Sequence, residues 1–223
     1  MRAVLIPVKD LTRAKQRLAA MLSQAARTAL ATAMMEDVFS AVAAARGLDA
    51  VFVVSNYGPA LERARSLGWS MIRERRQISE SDSVDRASRR CVANGVTSLL
   101  RLPIDIPLMQ PADVEAVLTA AGRAPATVLI PSRDGTGTNA LLRTPPALFP
   151  SHFGPLSLRK HLAEAQKKCA GICVLRNPRI ELDVDDEDDL RVLAAEANLR
   201  GATCQWLRRA GIHGPNSRAI SAD

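Results

Sequence analysis

Apolar residues along this chain come in two arrangements. Some form short dense runs: Ala3 to Val8, Val51 to Ser55, Met71-Ile72, Val96 to Leu102 and Ala126 to Pro131. Continuous runs of this length suit strands covered on both faces. Others recur at three-and-four spacing. Ala26, Leu30, Ala33, Met34, Val38 and Val42 mark a helix that Ser23 can cap, running to about Arg46 with Gly47 as its stop. Shorter helices are expected over Gly58 to Leu67, Ser79 to Asn94, Pro111 to Ala121 and Leu158 to Lys168, and an acidic one opening near Asp186. Ile172 to Leu175 and Ile180 to Val184 read as further strands. From Gly201 the pattern fades, so residues 1–207 are expected to form one domain and 208–223 a loose tail. Strand–helix alternation at this spacing predicts an α/β fold with a mostly parallel central sheet flanked by helices.

Composition narrows the function classes. Of 223 residues, 47% are apolar and 24% charged, which suits a globular, soluble chain. Thirty basic against 23 acidic residues give a net charge of +7. The basic residues are spread along helical stretches without a long like-charged run, and only 3% of residues are aromatic. That argues against nucleic acid as a partner; a solvated face or a pocket for anionic small molecules accounts for the basic excess as well. Cys91, Cys169, Cys173 and Cys204 show no zinc spacing and fit thiols in a reducing, cytoplasmic compartment. No apolar run reaches the roughly 18 residues that would suggest a membrane span.

The candidate chemistry sits where strands end. Leu102-Pro103-Ile104-Asp105-Ile106-Pro107-Leu108 places one carboxylate just past an apolar run, between prolines that cannot continue a ladder. Ligands of open parallel sheets gather at such ends, and a fixed carboxylate there suits a divalent metal carrying phosphates. The plainer alternative is an Asp that closes a turn or caps the helix at Pro111. After the first strand, Lys9, Arg13, Lys15 and Arg17 crowd one loop, a plausible polyphosphate cradle without Walker glycines. Asp134 to Leu142 contains a Gly-Thr-Gly-Thr-Asn segment, either a donor-rich ligand loop or a plain hairpin. Gly154 and Ser157 precede a helix, where free N–H groups attract anions. His161 on that helix reads as a surface or half-buried residue rather than a ligand group. Asp183 and Asp185 precede the acidic helix start and are candidates for a second metal carboxylate.

Taken in order, IPVKDLTRAKQRL, LPIDIPL, DGTGTNALL with FGPLS, and LDVDDEDDL resemble the phospholactate or phosphoenolpyruvate guanylyltransferases of coenzyme F-420 biosynthesis. These are nucleotidyltransferases with a Rossmann-like sheet, as in molybdenum-cofactor guanylyltransferase. The resemblance runs over about residues 1 to 200. It implies transfer of GMP from GTP to the phosphate of 3-phosphoglycerate, phosphoenolpyruvate or 2-phospholactate, with Mg²⁺ as cofactor and a downstream lactyl-transferring enzyme as partner. It also leaves room for a homodimer. Carried over, it implies that Lys9, Arg13, Lys15 and Arg17 face the triphosphate, that Lys15 and Asp105 are catalytic, that Asp105 with Asp183 or Asp185 binds metal, and that Thr138, Gly154 and Ser157 hold the phospho-acid. Two places depart from the family pattern: Leu156 stands where FGPGS has its second Gly, and Asp85 stands in place of an amide. Leu156 adds bulk beside the expected acceptor position and Asp85 replaces an amide with a charge, so the altered pocket is expected to favour 3-phosphoglycerate. Two rivals stay open: a nucleotidyltransferase with another phosphate acceptor, and a non-catalytic nucleotide-binding protein. The glycine-rich first loop of sugar-phosphate and molybdopterin enzymes is absent, which counts against the first.

Overall fold

The computed structural model describes residues 1–213. Strand β1 (Arg2–Val8) is the centre of the packing. Its Val4, Ile6 and Val8 enter one hydrophobic layer, and Ala3 and Leu5 enter the other. A strand covered on both faces has no polar side to show, which is why its sequence is an unbroken apolar run.

The first layer is built by α1 (Gln24–Ala44), which follows β1 after two short 3₁₀ turns, and by later helices on the same face. Ser23 caps α1 by accepting from Ala26 N at 3.2 Å. Met35 and Val38 of α1 pack towards the sheet, while Leu30 and Met34 pack outwards against later elements. The methionines of α1 are therefore core residues. The helix stops at Ala44 rather than Arg46, because Arg46 N leaves the axis to bond the Glu115 carboxylate at 2.9 Å. Gly47 sits beyond the end, in the following turn.

Then come β2 (Ala50–Ser55), α2 (Gly58–Ser66), β3 (Ser70–Arg73), α3 (Glu80–Ala93), β4 (Ser98–Arg101), α4 (Pro111–Thr119) and β5 (Ala126–Pro131). The predicted strand at Val96 to Leu102 and the shorter one at Met71-Ile72 are present with shifted ends. Helix α3 covers the second face with Val84, Ala87 and Cys91. The four cysteines are free.

Strand β6 (Thr138–Thr144) was not expected as a strand; it is half of a hairpin with β5. After it come α5 (Ser157–Lys167), β7 (Gly171–Val174), α6 (Pro178–Glu181), α7 (Glu187–Ala195) and α8 (Gly201–Arg209). The seven-stranded sheet runs β3-β2-β1-β4-β6-β5-β7. It is parallel except at β6, which opposes both β4 and β5.

Two other expectations give way. Ile180 to Val184 is not a strand: Asn177 accepts from Arg179 N and Ile180 N, Pro178 takes the first helical position, and one turn of helix results. The fade after Gly201 hides α8, whose N-terminus is capped from far away by Asp37 of α1, accepting from Ala202 N at 2.6 Å and Thr203 N at 2.8 Å. Gly201 has φ +87°, and a Cβ there would meet Asp37 Oδ1 at 2.2 Å. A short helix capped by a distant residue leaves little local signal. The expected boundary at residue 207 falls inside α8, and residues 214–223 of the expected tail lie outside the described residues.

Candidate active site

β1 and β4 run in one direction and β6 in the other, so the C-terminal ends of β1 and β4 meet the N-terminal end of β6. A cavity of about 850 Å³ opens at this edge. It is lined by every residue singled out above as a candidate: Lys9, Arg13, Lys15, Arg17, Asp105, Thr138, Gly154, Ser157, Asp183 and Asp185. Segments separated by most of the chain thus converge on one space.

At one end, Lys15 Nζ stands between carboxylates, 2.6 Å from Asp105 Oδ2 and 2.9 Å from Asp185 Oδ1. The Lys15 side chain is only 9% exposed. Burial alone would lower its pKa, but Asp105 and Asp185 outweigh it and hold the ammonium well above its usual range. Burial likewise pushes the Asp105 carboxyl up, and Lys15 with Arg101 wins and holds it down. Asp105 does not cap α4. Gln110 N bonds Asp113 there instead. Lys9, Arg13 and Arg17 are exposed on the cavity rim.

Asp183 is placed differently. Asn139 donates to its Oδ1 at 3.0 Å and also to Ile180 O and Glu181 O. Val184 N bonds Asp105 O at 3.0 Å, tying the two acidic segments together. Burial first, and then the charge of Asp105, push the Asp183 carboxyl up to about 6. Among the described residues no cluster of three His, Cys, Asp or Glu side chains is gathered as a ready metal cage. Lys15 occupies the space between two of the three aspartates.

At the far end three uncharged side chains meet. Thr138 Oγ1, Ser157 Oγ and His161 Nδ1 form a buried network, with Thr138 3.3 Å from Ser157 and 3.1 Å from His161. Ser157 N bonds Gly154 O, and Gly154 takes φ +111°, a turn that glycine makes at little cost. The hairpin turn at Asp134 closes this end, so it is a hairpin and a cavity wall at once.

A family model described as "Guanylyl transferase CofC like" matches residues 1–221. The chain belongs to this guanylyltransferase family. It is 38% identical over 195 residues to the phosphoenolpyruvate guanylyltransferase of Rubrobacter xylanophilus, covering 87% of this chain and 94% of that one. With the 2-phospho-L-lactate guanylyltransferase of Methanothermobacter thermautotrophicus it shares 36% over 186 residues, 83% of this chain and 81% of the other. With the 3-phospho-D-glycerate guanylyltransferase of Colwellia psychrerythraea it shares 32% over 191 residues, 86% and 90%. The fold matches a nucleotidyl transferase from Methanothermobacter thermautotrophicus with a TM-score of 0.65 at 16% identity, covering 94% of this chain and 99% of that one.

In this guanylyltransferase, both departures from the family pattern lie off the cavity. Leu156 is 51% exposed and faces a separate shallow hollow with Leu158 and Leu162. Asp85 accepts from Ser151 N and Oγ and pairs with the buried Arg143. It braces the segment before Gly154 and does not line the cavity. The structural reason for expecting 3-phosphoglycerate is therefore gone.

Several wall residues escaped the sequence reading. Arg101, 5% exposed, ion-pairs with Glu80, lies 4.1 Å over the Phe153 ring and donates to Asn139 O at 3.0 Å. It fixes the backbone from which Thr138 and Asn139 project. Burial pushes its pKa down to about 10, against the pull of Asp105 and Asp183. A charge at the end of an apolar strand was its available signal. His161 is not at the surface but fully buried, packed edge-on against Phe153.

Proposed function

We propose that this guanylyltransferase transfers GMP from GTP to the phosphate of a three-carbon phospho-acid in coenzyme F-420 biosynthesis. The observation that carries the reading is one cavity with a charged end and a hydroxyl end, in a chain of this family. Phosphoenolpyruvate is the first acceptor to test, because the relative at 38% identity is named for it.

In this reading the triphosphate lies along Lys9, Arg13, Lys15 and Arg17, and the acceptor phosphate on Thr138, Gly154 and Ser157. An oxygen of the acceptor phosphate attacks the α-phosphorus of GTP. The bond from that phosphorus to the β-bridging oxygen breaks, and pyrophosphate leaves with the electron pair. The attacking oxygen is already ionised, so no general base is needed. The cavity's role is to bring two anions together and to offset charge on the leaving group.

Oxygen-only donors and the raised Asp183 carboxyl fit a hard divalent cation. Asp105 and Asp183, with Asp185 within reach, would hold Mg²⁺. When bound, it would neutralise triphosphate and pyrophosphate charge. With a cation on the carboxylates, Lys15 would pair with the phosphates instead.

Among the described residues no helix is long and apolar enough to cross a membrane. The reading places the enzyme in the cytoplasm, handing its product to a lactyl-transferring partner. The test is pyrophosphate release from GTP and Mg²⁺ with phosphoenolpyruvate, 2-phospholactate and 3-phosphoglycerate in turn, that partner and its acceptor being present. Turnover with one acid is expected. Intact GTP binding with silence for all of them overturns the acceptor class.

A further inference from the structure

His161 has both ring nitrogens engaged. His152 N lies 2.8 Å from Nε2, and Thr138 Oγ1 lies 3.1 Å from Nδ1. A backbone N–H can only donate, so Nε2 accepts. The ring is fully buried, and desolvation, followed by the charges of Arg143, His152, Arg101 and Lys160, pushes its pKa down to about 3. The neutral ring carries one proton, which must then sit on Nδ1 and point at Thr138. Ser157 Oγ donates to the same Thr138 oxygen at 3.3 Å. Both lone pairs of that hydroxyl are therefore taken. Its one proton makes no hydrogen bond among the described residues, although Thr138 lines the cavity.

We propose that His161 is a positioning residue: its Nδ1–H, with Ser157, commits the Thr138 hydroxyl to donate into the cavity, so this subsite takes a group that only accepts, such as a fully ionised phosphate. The inference rests on the reading of Thr138 as an acceptor-phosphate residue. His161 touches no substrate; it acts through Thr138. A hydroxyl able to accept as well as donate could equally take a substrate O–H. One whose lone pairs are filled discriminates against it.

The two nitrogens can be replaced separately. Asn carries its amide near the Nδ1 position and can still donate to Thr138. Gln reaches the Nε2 position and can accept from His152 N, but leaves Thr138 without its donor. Steady-state pyrophosphate release with GTP, Mg²⁺ and phosphoenolpyruvate is the assay. His161→Asn should keep the KM for the acid near wild type. His161→Gln should raise it about tenfold or more, with the KM for GTP unchanged, as for a lost hydrogen bond to a charged group. Thr138→Val should raise it similarly, and the His161→Gln, Thr138→Val double variant should be no worse than Thr138→Val alone. An unchanged acid KM in His161→Gln, equal rises for acid and GTP, or an additive double variant overturns the proposal.

A second measurement needs neither variant nor turnover. Nitrogen-15 NMR of the wild-type protein should show one histidine in the Nδ1–H form whose shifts stay constant from about pH 5 to 8. Every histidine titrating in that range, or an Nε2–H form for the buried one, overturns it. Failure of wild-type turnover with all of the acids sinks the acceptor reading but leaves this tautomer result standing, so the two failures are distinguishable.

Discussion

The two ends of the cavity are built on opposite principles. At the charged end, Lys15, Asp105 and Asp185 hold one another by ion pairs, and Asp183 stands near them with its charge poorly compensated. At the hydroxyl end, Thr138, Ser157 and the neutral His161 are fixed by buried hydrogen bonds with no formal charge. Ion pairs can be traded for others when an anion or cation arrives. A buried neutral network has its geometry before any ligand comes.

The comparison can be broken most forcefully at Asp105. Asp105→Ala should cut pyrophosphate release by about a thousandfold, the scale of losing one electrostatic contact to the reacting group, while circular dichroism shows the fold intact. An active variant would remove Asp105 from the chemistry.

Lys15→Met tests whether the charged end can exchange partners. It leaves the partly exposed Asp105 and Asp185 facing each other without their shared cation, so the cation-free protein should lose about 1 kcal/mol of stability, the loss being screened by solvent. Added Mg²⁺ should return most of it, read as a recovered melting temperature; loss without recovery would argue that no cation replaces the ammonium.

The hydroxyl end should respond to pH in its own way. His161 has a folded pKa near 3, against an ordinary value of 6.5. The unfolded chain therefore takes up a proton on acidification that the folded one refuses. Stability from this group is fully present above pH 6.5 and falls as pH drops towards 3. Between pH 6.5 and 5 the loss should be about 2 kcal/mol by proton linkage. Asp183, raised to about 6, shifts stability the other way over the same range, so the His161 share is read in denaturant melts as the difference between the wild-type slope and that of His161→Asn.

The smallest effect belongs off the cavity. Leu156 takes φ +58°, a left-handed conformation that costs a branched side chain about 1 kcal/mol. Leu156→Gly should recover about that much in a thermal melt and leave turnover unchanged. A changed preference among the acids would return Leu156 to the pocket.

Much of this cavity was legible in sequence because each candidate sits where a strand ends or a helix begins. Apolar runs mark β1 and β4, so the positions of Lys9 to Arg17 and of Asp105 followed. The parts that were not legible depend on distant partners. Thr144 and Asn139 pair with β5 and α6 rather than with sequence neighbours, which made β6 look like loop. Asn177 turns a strand-like Ile180-Glu181 into helix. Leu156 and Asp85 looked like acceptor-pocket residues because sequence proximity to motifs does not say which way a side chain points. His161 read as a helix surface because its companions, Thr138 and His152, come from two other segments.

The contact between Lys15 and Asp185 spans 170 residues of chain. During synthesis, Lys15 leaves the ribosome early and has no Asp185 to meet until the last strand has already been made. Asp105 and Thr138 arrive in between. The basic loop therefore waits through most of translation, and the fold gains its chemistry at the end of the process rather than growing it strand by strand. A ligand that joins these groups ties early and late segments together, and so protects the whole chain against unfolding rather than one part of it.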